Sequence, residues 1–503
     1  MQSVSFTLQQ IFGRQVTVVK RPTDPGVWKA KLAQQLAHDG SPFAQLISDY
    51  LTEDKKPDLS FLVCECMRHG NVDVLAYVLA NEDIKSLRIQ GPVDEEGWET
   101  LAKAMPDSLR VEVLQLSKLD FNASTGELLF KFLSHMPALK DVSLTNIKVE
   151  DGFFFGRLVC ADLPSLEDLS VCAKSDQKLG VGPLVLKILL AARQVRRVSI
   201  EDAGAISTAQ HAKLAEALSQ QTRLDSLRLK ISYRNEPEEF ECYMPFLCGK
   251  TPTPLVELDL RGCRIQASNF KLLMEALPKN QPALKSLLLS ECRVAFGEKR
   301  KEQVSVNTLS LTRMESLQYL DLSINDLPAG TTEALLMALK KNHLVFLNLS
   351  GNQVGNETFS AMACFLRDNE KLRHLLLKPP AFTSYVGQDA QVLEELIEAV
   401  ERNLVVQQLD IRWTQVPKDS HDRLSKSLER NRQLAIAAAV RGGVYAIGNS
   451  HHVKVPYDVA DAVFRQGLTM SDAFSASSVN KEAWALREKI LREESDRILR
   501  ERL

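Results

Sequence analysis

The chain has 503 residues, a formal net charge of -2, 45% apolar residues, 25% charged residues and 6% aromatics. That balance fits a well-folded protein of two to four domains or one elongated array. It excludes a charge-driven nucleic-acid binder, because no excess of cations is present to neutralise a phosphate backbone. The nine cysteines are odd in number and scattered in mostly apolar surroundings, which reads as reduced, buried thiols in a reducing compartment such as the cytoplasm.

At the start, "MQSVSFTLQQIFGRQVTVVKRP" has no apolar core bounded by a cleavage site, and its first acidic residue is Asp24. It is not a Sec signal peptide. Such an acid-poor leader is loosely similar to the N-termini of type III secreted bacterial proteins, which would imply translocation into a host cell; a short amphipathic strand or a disordered start reads the same. No stretch approaches 18 apolar residues, so no membrane span is expected. The segments "WKAKLAQQLAHD", "PFAQLISDYL" and "DLSFLVCECMRHGNVDVLAYVLAN" have helical spacing. Residues 1–81 are therefore expected to form an N-terminal helical cap.

From residue 82 a repeat takes over. "IKSLRIQG" (84), "VEVLQLSKL" (111), "LKDVSLTNI" (139), "LEDLSVCAK" (166), "VRRVSIEDA" (195) and "LDSLRLKIS" (224) align on a central apolar residue. "LVELDLRGC" (255), "LKSLLLSEC" (284), "LQYLDLSIN" (317), "LVFLNLSGN" (344), "LRHLLLKPP" (372) and "VQQLDIRWT" (406) continue it. Successive copies lie 27 to 34 residues apart, mostly 27 to 29. The second half of most copies, as in "HAKLAEALSQQTRL" and "TEALLMALKKNHL", places apolar residues at helical spacing. In the latter, Leu335, Met337 or Ala338, and Leu339 are expected to face inward. One unit is a short strand, a turn and an amphipathic helix.

This pattern resembles the leucine-rich repeat, specifically the long ribonuclease-inhibitor-like class. Its motif LxxLxLxx(N/C)xL is met, with Ile or Val allowed last, at 255–265, 284–294, 317–327 and 344–354. The resemblance implies an α/β solenoid, a horseshoe of about twelve strand-helix repeats over residues 82–436, with a parallel sheet on its concave face. Within "LVFLNLSGNQV", Leu347 and Leu349 point into the core while Phe346, Asn348 and Ser350 point out. Where the backbone leaves the strand, Asn352 and Asn325 are expected to satisfy its stranded amides and carbonyls. Cys263 and Cys292 occupy the same slot.

Residues 437–503 leave the repeat. "VRGGVYAIGNSHHVKVPYD" reads as a loop-rich connector. "VADAVFRQGL" and "NKEAWALREKILREESDRILRERL" read as a C-terminal helical tail. The last segment carries 13 charges in 24 residues, with Trp484, Leu491 and Ile498 seven apart; it suits a packed cap helix, a partner-binding helix or a short coiled coil.

Chemistry-bearing motifs are sparse. "GKT" at 249–251 lacks the earlier glycine of a phosphate loop and is followed by Pro252 and Pro254. Cys64, Cys66 and His69, and His451 with His452, do not have zinc-ligand spacing. No nucleophile stands in a recognisable setting, and the tail has no Cys for a ligase-type centre. Neither enzyme activity, a cofactor nor a bound metal is expected.

Strand positions that point outward form columns across the repeats. Most hold small polar residues. Tyr319, Phe346 and His374 share one column in consecutive repeats, flanked by Leu288 and Leu376, with Trp413 just past the last strand. Outward aromatics among polar residues have the composition of an interface hot spot; cover by the folded-back tail or simple exposure would look alike in sequence. Asp141, Asp168, Glu257 and Asp259 beside Arg197, Arg228, Lys230 and Arg261 form a charged band suited to steering a partner. The insertions 231–254, 295–306 and 378–391 are rim loops, the first replacing a regular helix. The expected function is a protein-protein interaction scaffold binding a partner protein through its concave face. The alternative is the substrate-recruiting arm of a ligase-like effector with activity in its end regions.

Overall fold

The computed structural model describes residues 41–52, 58–149, 162–173, 181–192, 194–202, 206–231, 237–249, 255–292, 311, 313–378, 390–411 and 417–450. The chain falls into two compact units, Met1–Arg300 and Lys301–Leu503.

In the first unit, helices α1 (Pro42–Thr52), α2 (Leu59–Arg68) and α3 (Val72–Asn81) precede the first strand. Strands β1 (Ser86–Gln90), β2 (Val113–Ser117), β4 (Asp141–Thr145), β6 (Asp168–Cys172), β7 (Arg197–Asp202), β8 (Ser226–Ile231), β9 (Glu257–Asp259) and β10 (Ser286–Leu288) pair in that order. All the pairings are parallel. Short strands β3 (Asp120–Phe121) and β5 (Lys148–Val149) make a separate parallel pair. Helices α4 (Glu95–Ala104), α5 (Ala123–Ser134), α6 (Gly182–Ala191), α7 (Thr208–Ser219) and α10 (Ala267–Asn280) alternate with the strands. Where the sequence reads an irregular insertion, two short helices, α8 (Pro237–Glu241) and α9 (Met244–Leu247), stand between β8 and β9.

The second unit repeats the plan. Strands β11 (Tyr319–Asp321), β12 (Phe346–Asn348), β13 (His374–Leu377) and β14 (Gln408–Ile411) pair in order and in parallel. Helices α11 (Ala329–Leu339), α12 (Asn356–Asp368), α13 (Ala390–Arg402) and α14 (Lys418–Ser450) follow the strands in turn.

The registers are those of the sequence repeat. Leu87, Leu114, Val142, Leu169, Val198, Leu227, Leu258 and Leu287 are successive Cα partners across the strands of the first unit. Leu320, Leu347, Leu375 and Leu409 are successive partners among the strands of the second unit. Because strand side chains alternate, one residue of slip would turn the leucine column to solvent, so burial alone fixes this register. Neither a single strand nor a single helix buries its own apolar face, so each repeat is stabilised by its neighbours.

The turn chemistry is also as the sequence predicts. The Asn352 amide donates to the carbonyls of Leu322 and Leu349, both at 2.9 Å, and its oxygen accepts from the Asn325 and Leu327 N–H groups at 3.1 Å. Asn325 donates to the Leu322 carbonyl at 3.0 Å. The Cys263 and Cys292 thiols donate to the carbonyls of Leu229 and Leu260, one repeat back, each at 3.2 Å. Burial pushes the Cys263 thiol up to about 12 and the Cys292 thiol well above its ordinary value. Both are protonated donors in the core.

Two expectations are corrected. Met337 is exposed, and Leu336 is buried with Leu335 and Leu339, because the buried face of α11 is set by Thr332, Leu336 and Leu339. The stretch from Val440 to Ser450 is not a loop: α14 runs through it. The alanines of "AIAAAV" are the best helix formers, and the glycines that follow cost only about 1 kcal/mol each. Most of the insertions 295–306 and 378–391, residues 1–40 and the tail 451–503 lie outside the described residues. Among the described residues no helix is long and apolar enough to cross a membrane.

Candidate functional site: an aromatic column on the strand face

In the second unit, the inward residues Leu320, Leu347, Leu349, Leu375 and Leu377 are fully buried. Their outward neighbours are not. Tyr319 is 44% exposed, and Phe346, His374 and Leu376 are half-buried. The parallel register sets Tyr319 beside Phe346, Phe346 beside His374, and His374 beside Gln408. Ring centroids of Tyr319 and Phe346 lie 6.3 Å apart, as do those of Phe346 and His374, with tilts of 30° and 43°. Tilted aromatic pairs at this separation attract one another, so the column is a continuous ribbon of rings. The imidazole Nδ1 of His374 lies 3.3 Å from the Gln408 side-chain oxygen.

Beside the ribbon the polar positions hold one another. The Asp321 carboxylate accepts from the Ser323 backbone at 2.9 Å and its hydroxyl at 2.6 Å, and Asn348 accepts from the Ser350 N–H at 3.1 Å. Lys378 pairs with Asp410 at 2.6 Å. Leu376 stands between Asn348 and Asp410 in the register. The result is an apolar strip framed by polar side chains whose rotamers are already fixed, an arrangement that loses little side-chain entropy on contact with another surface.

The structure therefore brings together four of the six residues singled out in the sequence: Tyr319, Phe346, His374 and Leu376. Leu288 is half-buried on β10, beside Asp259, in the first unit. Trp413 lies outside the described residues.

The charged band of the first unit is largely paired within itself. Arg197 clasps Asp168 through two nitrogens, Lys230 meets Glu201, and Ser226 donates to Glu257 at 3.1 Å. Asp259, whose side chain is 4% exposed, takes Arg261 at 2.7 Å and Arg228 at 3.3 Å. Burial, then the neighbouring Asp168 carboxylate, raises the Asp141 pKa despite the opposing effect of Arg197. A band neutralised along its own ladder has little charge left to steer a partner.

Among the described residues no group of three or more His, Cys, Asp or Glu side chains is placed to hold a metal ion. His69 stacks on Phe43 at 4.2 Å between centroids, and burial raises the thiols of Cys64 and Cys66. His451 and His452 lie outside the described residues.

A second asparagine ladder was not recognised in the sequence. At the helix-to-strand turns, Asn369 donates to the Lys340 carbonyl at 3.2 Å and accepts from the Leu372 N–H at 2.8 Å. Asn403 donates to the Leu366 and Asn369 carbonyls and accepts from the Val405 and Val406 N–H groups. Asn431 donates to the Asn403 and Val406 carbonyls, both at 2.8 Å. The available signal was an Asn three residues before the first apolar position of two repeats, Asn369 before Leu372 and Asn403 before Val406.

A family model described as a leucine-rich repeat matches residues 340–363, the stretch that contains β12 and its Asn352 turn. The fold is a leucine-rich-repeat solenoid. Solved structures similar to this chain include leiomodin-1 actin-binding site 2, at 15% identity over 40% of this chain and 95% of that one, with a TM-score of 0.27. An internalin from Listeria monocytogenes matches at 13% identity over 82% of this chain and 99% of that one, with a TM-score of 0.35. The yeast Rad7 and Elc1 complex matches at 14% identity over 78% of this chain and 93% of that one, with a TM-score of 0.32. No curated protein matches the chain by sequence.

Proposed function

We propose that the protein is a non-enzymatic scaffold that binds a partner protein through the outward strand face of its second unit. Tyr319, Phe346, His374 and Leu376 form the centre of the contact. The observation that carries this reading is the ribbon of three tilted rings, exposed at Tyr319 and half-buried at Phe346 and His374, on the opposite face of the strands from a fully buried leucine column. Rings at outward positions add little to the core beneath them, whereas burying a Phe or Tyr side chain against a partner is worth about 1.5–3 kcal/mol each. The strand backbone holds them in place, which lowers the entropy lost on binding.

A reducing, cytoplasmic setting belongs to the same reading, supported by Cys263 and Cys292, which serve the turns as protonated thiols. Membership of the ribonuclease-inhibitor-like class rests on the repeat length. A bacterial effector delivered into a host cell is a narrower form of the proposal, resting on the acid-poor leader.

The test is affinity capture with wild type beside a Tyr319→Ala, Phe346→Ala double variant. Both side chains point away from the core, so the variant is expected to keep the wild-type circular dichroism and unfolding midpoint while losing its main partner. Equal capture of every partner by both proteins overturns the proposed surface.

A further inference from the structure

With the aromatic ribbon as the centre of contact, the groups around it limit the kind of segment that can lie there. The ring centroids of Tyr319, Phe346 and His374 advance by 6.3 Å from each strand to the next. Two regular backbones repeat at close to that step. Four residues of an α-helix advance about 6 Å, and two residues of an extended segment advance roughly 6.6 Å.

Hydrogen bonding separates the two. An extended segment crossing the rings carries an N–H and a C=O at every residue, and each must find a partner or lose its hydration. The face has few to spare. The Asp321 carboxylate is engaged by the Ser323 N–H and hydroxyl, the Asn348 oxygen by the Ser350 N–H, and the Ser350 hydroxyl by the Lys378 N–H. The Lys378 ammonium is held by Asp410, the Gln408 oxygen lies beside His374, and the Leu376 side chain has nothing to offer. A helix bonds its own backbone, so it can lie on rings and leucine without stranding its peptide groups.

Charge adds a second constraint. Asp321 stands two residues beyond Tyr319 on the same face of β11, half-buried, and its printed partners are the Ser323 N–H and hydroxyl rather than a cation among the described residues. The described outward positions from β11 to β14 set Asp321 and Asp410 against Lys378, one carboxylate in excess. The ring faces of Tyr319 and Phe346 also attract a cation. Asp321 lies roughly 7 Å from the ribbon along the strand, within reach of a long side chain on a helix about 10 Å wide.

Resting on the ribbon as the binding site, we propose that the partner presents a basic amphipathic helix that crosses from β11 to β13. Its apolar side chains at i, i+4 and i+8 lie over Tyr319, Phe346 and His374, and a Lys or Arg on its flank meets Asp321.

Two display libraries are panned on the full-length protein, one randomising a face of a stable helical miniprotein and the other an unstructured linear peptide. Winners of both are measured by fluorescence anisotropy. The helical winners are expected to bind at least tenfold more tightly, with apolar residues at i, i+4 and i+8 and a Lys or Arg on one flank. Their affinity falls at least tenfold with Tyr319→Ala or Phe346→Ala. It falls at least threefold with Asp321→Asn, and that effect vanishes once the flanking Lys or Arg is changed to Gln. The Asn variant keeps the turn, since Asn348 already accepts from the Ser350 N–H in the next repeat. Linear winners that bind more tightly and are lost with the ring variants overturn the helix while leaving the ribbon as the contact centre. Helical winners indifferent to both ring variants, or no winners at all, overturn the proposal, and capture by the double variant then judges the ribbon separately. An acidic or uncharged flank, or an Asp321→Asn variant without effect, overturns it as well.

Discussion

Replacing Asn352 by Ala removes one side chain that makes four hydrogen bonds inside the stack. The Leu322 carbonyl keeps a partner in Asn325, so the variant strands the N–H groups of Asn325 and Leu327 and takes from Leu349 its side-chain donor. At about 1–3 kcal/mol for each buried group left unmet, with part recovered by water and small shifts, the expected loss is about 3–5 kcal/mol. An array of this kind need not unfold in one step. The loss is therefore read locally, as faster hydrogen exchange at Asn325 and Leu327, together with a lower denaturant midpoint for the second unit. Asn352→Cys retains one weak donor, as Cys263 and Cys292 do, and is expected to fall between wild type and Asn352→Ala. A loss below about 1 kcal/mol for the Ala variant, against the range expected for stranded groups, would refute the assignment of this residue as the turn's hydrogen-bond replacement.

Gly351 holds φ +74°, and a Cβ there would stand 2.9 Å from Ile324 Cγ1 and 3.1 Å from its Cα. Gly351→Ala is expected to lower stability by about 1–3 kcal/mol through backbone strain and that clash, measured by denaturant unfolding beside Gly330→Ala, where the added carbon meets nothing within 4 Å. The Cys263 thiol, raised by burial from 9.0 to about 12, favours the folded state only while protonated. Its contribution is complete below pH 9 and falls as the pH rises from 9 toward about 12, so Cys263→Ala is expected to show a shallower alkaline loss of stability than wild type when midpoints are compared across that window.

The strand register was legible because two signals coincide: apolar alternation every second residue, and an Asn or Cys at the turn. Together they predict the pairs Leu320 with Leu347 and Leu347 with Leu375. The helices were less legible. "TEALLMAL" is apolar on several sides, so Met337 and Leu336 exchange roles once α12 packs against α11, and only contact with a neighbour sets the phase. The end of α14 is hidden in the sequence because two adjacent glycines mask the helical signal of the alanine run before them. The asparagines at the helix ends give little sequence signal because their partners lie a repeat away, as with Asn403 and the Leu366 carbonyl. For the site, the columns give the neighbours of Tyr319, Phe346 and His374, but not how far the charged band is neutralised by Arg228, Arg261 and Lys230, since rotamers decide that.

The account depends on side chains one repeat apart in sequence standing side by side on one exposed face. Tyr319 and Phe346 are register partners, about 4.8 Å apart between strands and inside the span a disulfide bridges. Phe346's neighbour but one, Asn348, lies roughly 8 Å from Tyr319 along the same face by the strand rise. Under mild oxidation a Tyr319→Cys, Phe346→Cys variant is expected to link quantitatively, and a Tyr319→Cys, Asn348→Cys variant to stay reduced. Linkage of the second pair in place of the first would contradict the register on which the binding face rests.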